Sequence, residues 1–418
     1  MIQCLRELSA MVKPAKPLKS PVKTAGEKIP PLVRWRHRAV WRLFHYLGAP
    51  VFKLFFPYRC RQAKGIPSPV LVVSNHTTDL DPVLVGLSFS RQMYFVASEH
   101  VFRMRGSRLL RFFFDPILRI KGRSDAQAAI EIIRRLKGGS SVCLFAEGNR
   151  SFSGVTGPII PSTGKLVRIS GASLLTYRLR GGYFSAPRWA ARMRRGPIWG
   201  APVNYYSPEA LAGMSPKEIN EVIQRDIYED AYQTQEELAL PGGGRYFSSR
   251  PAEWLETALF LCPDCGRVGG LSSRGDRLSC RCGLDYRYDQ QGFLHVEGGG
   301  SSSPLHEPFT TVRDWWFWQK EAVKNRGRSF SASDDNLSLF EITPGRGTAL
   351  RERGRLSLGE EGLTCGSRHF FLKDIHELAI LGRQTLVFSA QGKHYELRCP
   401  VPFSAAKYQC IFNFLTGR

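Results

Sequence analysis

Residues 72–82, VVSNHTTDLDP, lead an apolar strand into a polar turn that holds one histidine and two carboxylates. His76 and Asp81 are the two side chains of this turn with the greatest chemical interest. Asp81 directly precedes Pro82, however, and an Asp-Pro step is also a common way to cap a helix. An ordinary strand-to-helix junction and a functional turn are therefore both compatible with this stretch, and the rest of the chain has to decide between them.

Strands and helices alternate around this stretch. The sequence predicts strands at 69–74 and 141–146, a further apolar stretch at 93–97, and helices from Pro82 and over 124–137. This alternation is typical of an α/β architecture, in which helices flank a mixed sheet. After about Glu256 the pattern stops.

A second polar turn follows another predicted strand. SVCLFA at 141–146 leads into EGNRS at 147–151, which places a carboxylate and a guanidinium just past the strand. In open parallel sheets, ligands bind beyond the carboxyl ends of the strands. The two turns can therefore meet at one crevice, where the first supplies an imidazole base and the second supplies charged groups. Arg123 could add a second cation.

The two turns also carry a family resemblance. NHTTDLD at 75–81 matches an NHxxxxD signature, and FAEGNRS at 145–151 resembles FPEGTRS, in the same order along the chain. On these residues, the part of the chain from Leu32 to Glu256 resembles the glycerolipid acyltransferase family, typified by lysophosphatidate acyltransferases. The resemblance implies that His76 is a general base and Asp81 its orienting partner. It implies an acceptor-binding region of Arg123, Glu147 and Arg150, and it adds Gly148 and Lys165 as further substrate-binding residues.

The resemblance implies an enzyme of phospholipid biosynthesis with a glycerolipid-acyltransferase-like fold. Such an enzyme moves a fatty acyl group from acyl-CoA or acyl-carrier protein to the free hydroxyl of lysophosphatidate or a related lysophospholipid. An imidazole held by a carboxylate is a suitable base for this reaction, because it titrates near neutrality. Alternative hypotheses are acylation of another lysolipid or of a glycolipid, and a non-catalytic lipid-binding protein on the same scaffold.

The charge of the chain indicates an anionic partner. Its formal net charge is +23 and its pI is near 9.9, which suits a nucleic acid, a membrane surface or a phosphorylated substrate. A basic nucleic-acid-binding zinc-ribbon protein is therefore a further alternative. The sequence has no RNP, KH or helix-turn-helix signature, so we expect no nucleic acid among the partners.

Four cysteines are clustered in residues 262–283. Cys262 and Cys265 are separated by two residues, and Cys280 and Cys282 by one, and each pair is followed by glycine. Four thiolates in two such knuckles predict a structural zinc in a zinc-ribbon-like module. The alternative is a metal-free hairpin whose cysteines are reduced or opportunistically paired.

Residues 32–56 mix aromatic and aliphatic residues with Arg34, Arg36, Arg38 and Arg42. This composition predicts a basic amphipathic helix or helix pair, broken at Pro50, that binds an anionic membrane surface or else packs on the catalytic domain. We recognise neither an uncharged stretch of about 20 apolar residues nor a signal-peptide h-region. We therefore expect a cytoplasmic protein that is peripheral on the inner face of the membrane.

The sequence predicts five parts: a flexible basic leader over 1–31, an acyltransferase domain over 32–258, a zinc-ribbon-like module over 259–300, a linker with a short helix over 301–328, and a small β domain with a C-terminal helix over 329–418. The arginine-rich stretch at 178–195 is either a solvated basic face or the entrance for the acyl donor or a lipid phosphate.

Overall fold

The computed structural model describes residues 31–103, 106–119, 126–237, 244–299, 304–343 and 347–418. The predictions for residues 1–30 and for Arg123 lie outside these ranges. In the part of the chain that is described, three sheets follow one another along the sequence. The predicted fold class is confirmed: an α/β layer is followed by a small cysteine module and a β-rich C-terminal domain.

The first sheet has seven strands, β1 to β7, in the order β1-β7-β6-β2-β5-β3-β4. The strands are β1 Tyr58–Cys60, β2 Val70–Ser74, β3 Met93–Ser98, β4 Ile117–Arg119, β5 Ser141–Phe145, β6 Ser173–Arg180 and β7 Ile198–Tyr206. All neighbours pair in parallel except β6 and β7, which are antiparallel. The carboxyl ends of β2 and β5 are therefore adjacent.

The central strand β2 is buried on both faces, which explains its uninterrupted apolar sequence. Successive side chains of a strand point to opposite faces. Val70 and Val72 accordingly pack into one core and Leu71 and Val73 into another. The helices of this layer are α1 Pro31–Leu43, α2 Ala49–Phe55, α3 Asp81–Gly86, α4 Ser107–Phe114, α5 Ala126–Lys137, α6 Thr163–Ser170, α7 Gly182–Ser185, α8 Pro208–Ala212, α9 Pro216–Ile227 and α10 Ala231–Glu237.

The N-terminal helical segment is not broken at Pro50. A π-helical turn, Phe44–Gly48, connects α1 directly to α2, and Pro50 lies in the first turn of α2. Proline is tolerated there because the N–H it lacks has no partner within the helix. Helix α9 begins with a capping box, in which Ser215 and Glu218 each accept a hydrogen bond from the other's backbone N–H.

The cysteine module is a four-stranded antiparallel sheet with the order β11-β10-β9-β8. Its strands are β8 Leu271–Arg274, β9 Arg277–Cys280, β10 Asp285–Tyr288 and β11 Leu294–Gly298. The predicted short helix is confirmed as α11, Val312–Asn325. It packs on the module instead of forming part of a loose linker, since Trp315 Nε1 donates to Leu261 O and Gln319 bonds to Ala258 and Phe260.

The C-terminal β domain is a seven-stranded antiparallel sheet with the order β15-β14-β13-β12-β18-β17-β16, against which the last helix packs. Its elements are β12 Ala332–Thr343, β13 Gly347–Gly359, β14 Gly362–Cys365, β15 Arg368–Phe370, β16 Ile375–Leu381, β17 Thr385–Ala390, β18 Lys393–Arg398 and α12 Ala405–Thr416. One continuous core joins this domain to the cysteine module and to Phe152, Phe184 and Trp189 of the first layer.

The arginine-rich stretch at 178–195 is not simply a solvated face. Arg188 and Arg194 are almost fully buried. Arg194 donates to Tyr288 of the cysteine module, and Arg188 donates to Gly382 and Ile380 of the C-terminal β domain. These two guanidiniums therefore connect the three parts of the chain, while Arg195 is exposed.

Candidate active site

His76 and Asp81 form a hydrogen-bonded pair just beyond the end of β2. The distance between His76 Nδ1 and Asp81 Oδ2 is 2.9 Å. The imidazole is partly exposed and stacks on Phe145, the last residue of β5, with ring centroids 4.5 Å apart. With Nδ1 donating to the carboxylate, Nε2 keeps the lone pair that a general base needs.

Asp81 is fully buried and accepts several hydrogen bonds besides the one from His76. The backbone N–H groups and hydroxyls of Thr77 and Thr78 all donate to its carboxylate. The interpretation of Asp81 as a helix cap is wrong, because Leu80 occupies the N-cap position and Asp81 is the first residue of α3. Its carboxylate instead folds back to hold the histidine turn. A fixed carboxylate fixes the orientation of the imidazole.

Glu147 connects the two motifs. Its Oε1 accepts a 2.7 Å hydrogen bond from the backbone N–H of His76, and its Oε2 accepts one of 2.7 Å from Gly157. Burial raises the pKa of Glu147 to about 8, although the two backbone donors oppose this change. Both oxygens are thus engaged by the backbone, so this carboxyl group positions the histidine turn.

Arg150 lies on the same side of the site as His76. Its Nη2 is 3.1 Å from Oδ2 of Asp79, three residues after His76; the Arg150 side chain is 11% exposed and that of Asp79 is 82% exposed. A substrate oxyanion that binds Arg150 would have to displace the Asp79 carboxylate. This carboxylate is exposed, so solvent would stabilise it after displacement. Arg150 is therefore held close to the histidine turn by its pair with Asp79, and a substrate oxyanion could replace the Asp79 carboxylate as its partner.

Gly148 allows the turn after β5 to form. Its φ is +71°, a region that favours glycine. A Cβ atom there would lie 3.1 Å from Ile160 Cδ1 and 3.2 Å from Arg119 Nη1. Arg119, at the end of β4, therefore places a second guanidinium beside the Glu147 turn. The cation predicted from the sequence is Arg123, four residues further along the chain.

A small cavity opens beside His76. Its lining includes Asn75, Thr77, Glu147, Tyr183 and Glu229. Glu229 is 4% exposed, and its Oε1 has no hydrogen-bond partner among the described residues, although Oε2 lies 3.3 Å from Arg180 Nε. Burial raises the pKa of Glu229 to about 7, against the opposing effects of Thr234 and Arg180. A second titratable carboxyl group therefore shares a cavity with the histidine.

The predicted site residues divide into three groups. His76, Asp81, Glu147, Gly148 and Arg150 come together at the ends of β2 and β5. Lys165 is exposed on α6 and is not part of the cavity lining. Arg123 lies outside the described residues. Two further charged residues near the site, Glu229 and Arg119, are not predicted from the sequence. Only Arg119 has a detectable signal there, since it follows an apolar run as Glu147 does.

The four clustered cysteines converge as predicted. The Sγ atoms of Cys262 and Cys282 are 3.8 Å apart, as are those of Cys265 and Cys280, and all four lie within 4.8 Å of one another. These separations are too long for disulfides, in which the sulfurs are about 2.05 Å apart. Four cysteine sulfurs at these distances could hold one metal ion.

Comparison with known proteins agrees with the geometry of the site. Residues 58–180 match the family model described as Acyltransferase, which includes both motifs. The predicted resemblance to the acyltransferases is confirmed for this part of the chain. No curated protein gives a significant match.

Among solved structures, the chain is similar to the 1-acyl-sn-glycerophosphate (LPA) acyltransferase PlsC from Thermotoga maritima. The identity is 23%, the TM-score is 0.39, and the match covers 46% of this chain and 79% of the other. In addition, none of the helices described for this chain has the length and apolar character needed to cross a bilayer.

Proposed function

We propose that this acyltransferase moves a fatty acyl group from acyl-CoA or acyl-carrier protein to the free hydroxyl of lysophosphatidate or a related lysophospholipid. One observation carries the proposal: a partly exposed imidazole is held by a fully buried carboxylate, within the segment that matches the acyltransferase family. The cations Arg150 and Arg119 near the same turns suit an acceptor that carries a phosphate.

The mechanism follows from the pair. His76 Nε2 removes the proton of the acceptor hydroxyl as its oxygen attacks the thioester carbonyl carbon. The new C–O bond forms and the carbonyl electrons move to oxygen; the C–S bond then breaks, and the imidazolium returns the proton to the leaving thiolate. Asp81 stabilises the imidazolium and keeps Nε2 directed at the acceptor. The NHTTDLD motif itself contains neither serine nor cysteine, so the transfer is direct, without an acyl-enzyme.

The acceptor can be identified by offering the purified protein lysophosphatidate, other lysolipids and glycolipid acceptors with both donor types, followed by mass spectrometry of the products. An ester of lysophosphatidate as the main product supports the proposal. A product formed only on an uncharged glycolipid would contradict the assignment of a phosphate-bearing acceptor.

We also propose that the cysteine cluster holds one structural zinc. Tetrahedral zinc with Zn–S distances of about 2.3 Å places its sulfurs about 3.8 Å apart, which equals the separation within both pairs. Cys262, Cys265, Cys280 and Cys282 would be the ligands. The metal would stabilise the module, because four ligands leave no open position for chemistry.

The helical segment α1–α2 is proposed to bind the membrane surface. Its outward side chains include large hydrophobic residues that are more than half exposed: Leu32, Trp35, Leu43, Tyr46, Leu47, Val51, Leu54 and Phe55. Arg38 and Arg42 are exposed beside them. Helix α4 extends this surface with Leu109 and Phe113, since Arg36 of α1 stacks 3.8 Å above Phe112 of α4. Exposed apolar side chains next to cations suit an anionic lipid interface.

A further inference from the structure

The C-terminal β domain contacts the active-site turn directly. Arg188 uses its guanidinium to join them: Nη1 donates to Arg150 O, Nε to Gly382 O and Nη2 to Ile380 O, each at 2.8 Å. Gly382 lies in the turn between β16 and β17, and Ile380 is near the end of β16. The β16–β17 turn is therefore fastened to the loop that carries Arg150.

This turn presents a second arginine to the same region. Arg383 stacks on Trp254, with 4.0 Å between its Cζ and the ring centroid, and its Nη2 donates to Ala190 O. Its Nε is buried but has no hydrogen-bond partner among the described residues. Trp254 and Ala190 thus fix the guanidinium plane while one of its donors stays unused.

The local charge is strongly positive. Burial, with a smaller contribution from the charge of Arg150, lowers the pKa of Arg188 to about 9 and that of Arg383 to about 10. Asp79 opposes this effect on both residues. Arg150 pairs with Asp79, and this one exposed carboxylate offsets the charge of three guanidiniums only in part. An added oxyanion would relieve their repulsion.

We propose that the β16–β17 turn of the C-terminal β domain forms a wall of the active site, where Arg383 and Arg150 together bind a phosphate oxyanion of a substrate. Arg188 is the positioning residue, since each of its three guanidinium nitrogens donates to a backbone carbonyl. The inference rests on the proposed acyl-transfer function for the identity of the substrate, but the phosphate site itself does not depend on it. The phosphate belongs either to the acceptor headgroup or to the acyl donor.

The first test measures binding of inorganic phosphate to the whole protein by calorimetry. Loss of a charge-assisted hydrogen bond should weaken binding about 10- to 100-fold in Arg383→Gln. Arg383→Lys should lose less, because it keeps the charge. Arg355→Gln is the matched control, since Arg355 is a mostly exposed arginine of the same domain, and it should bind phosphate as the wild type does. Equal phosphate affinity in the wild type and in Arg383→Gln would overturn the proposal.

The second test assigns the phosphate by steady-state kinetics. A rise in the acceptor KM of Arg383→Gln, with kcat and the donor KM unchanged, supports an acceptor headgroup; a rise in the donor KM alone supports the phosphates of the donor. A fall in kcat with both KM values unchanged would contradict the proposed binding role. If the wild type acylated no lysolipid, the proposed function would fail, but the calorimetric comparison would still decide whether Arg383 binds phosphate.

Discussion

Glu147 Oε1 accepts a 2.7 Å hydrogen bond from the backbone N–H of His76, although the two residues are 71 positions apart in the chain. The bond joins the turn after β2 to the turn after β5, which are adjacent because the strands pair in parallel. The same carboxyl group also accepts a bond from Gly157. The position of the His76 imidazole is therefore set by both motifs together.

Replacing His76 should abolish most activity without unfolding the protein. Loss of a general base costs about 10²- to 10⁴-fold in rate, so we expect kcat of His76→Ala to fall by that factor and Asp81→Asn to follow it. His295→Ala is the matched control, because His295 forms a 2.7 Å pair with Asp289 in the cysteine module, outside the cavity lining. A near-normal kcat in a folded His76→Ala variant would show that His76 is not the general base.

Glu147 should make stability depend on pH. Its folded-state pKa of about 8 lies above the ordinary 4.5, so the native state holds an extra proton between these values. Its contribution to the free energy of unfolding is complete below pH 4.5 and is lost as the pH rises to about 8, by at most about 1.4 kcal/mol per pH unit. Urea unfolding of the wild type and Glu147→Gln should show their difference shrinking from pH 5 to 8.

The control for this measurement is Glu221→Gln, which changes an exposed carboxylate on α9. Its stability difference from the wild type should stay nearly constant over the same range. A difference between the wild type and Glu147→Gln that also stays constant would mean that Glu147 is ionised throughout.

Arg150 should contribute mainly to binding of the acceptor. Arg150→Gln removes a charge-assisted hydrogen bond, so we expect the acceptor KM to rise about 10- to 100-fold while kcat changes little. Asp79→Asn should lower the acceptor KM, because it removes the competing carboxylate. Arg123 is a candidate acceptor-binding residue from the sequence alone, so Arg123→Gln should raise the acceptor KM as Arg150→Gln does. The control is Arg250→Gln, since Arg250 is an exposed arginine paired with Glu253. If Arg150→Gln changed only the donor KM, Arg150 would bind the acyl donor and not the acceptor.

Metal analysis of the purified protein should find about one zinc per chain. Cys280→Ser should lower the zinc content and make residues 259–300 sensitive to protease, because binding of the metal stabilises the folded module. Cys60→Ser is the control, since Cys60 lies in β1, outside the cluster. Zinc-free wild-type protein with a protease-resistant module would contradict the prediction.

Binding to anionic vesicles should depend on α1–α2 and weaken with salt. Each exposed arginine near the surface contributes about 1 kcal/mol, so replacing Arg38 and Arg42 by Gln should weaken binding measurably. Trp35→Ser with Leu47→Ser should weaken it by loss of buried apolar area.

Arg34 is unsuitable for this test because it bonds to Gly138 O. Val401→Ser, an exposed apolar residue of the C-terminal domain, is the control. Unchanged co-sedimentation of both α1–α2 variants would place the contact elsewhere, such as at 178–195.

Local patterns were sufficient to predict much of the first layer and the pairing of His76 with Asp81. The apolar runs at 70–74 and 141–145 predicted β2 and β5, because strands buried on both faces have continuous apolar sequences. The spacing of His76 and Asp81 within one turn made their contact a local event. The cysteine spacings likewise predicted the cluster, since each knuckle brings two ligands together by itself.

The remaining features depend on contacts between distant parts of the chain. Asp81 has the sequence context of a helix cap, but the folded turn surrounds its carboxylate with donors from Thr77 and Thr78. The sequence by itself determined the sheet-edge chemistry, because strand pattern and motif spacing are local. Only the tertiary structure decided that Glu229 lines the cavity and that Arg188 joins Arg150 to the C-terminal domain. The physical reason is that the burial and the partners of a side chain depend on residues that are distant from it in the sequence.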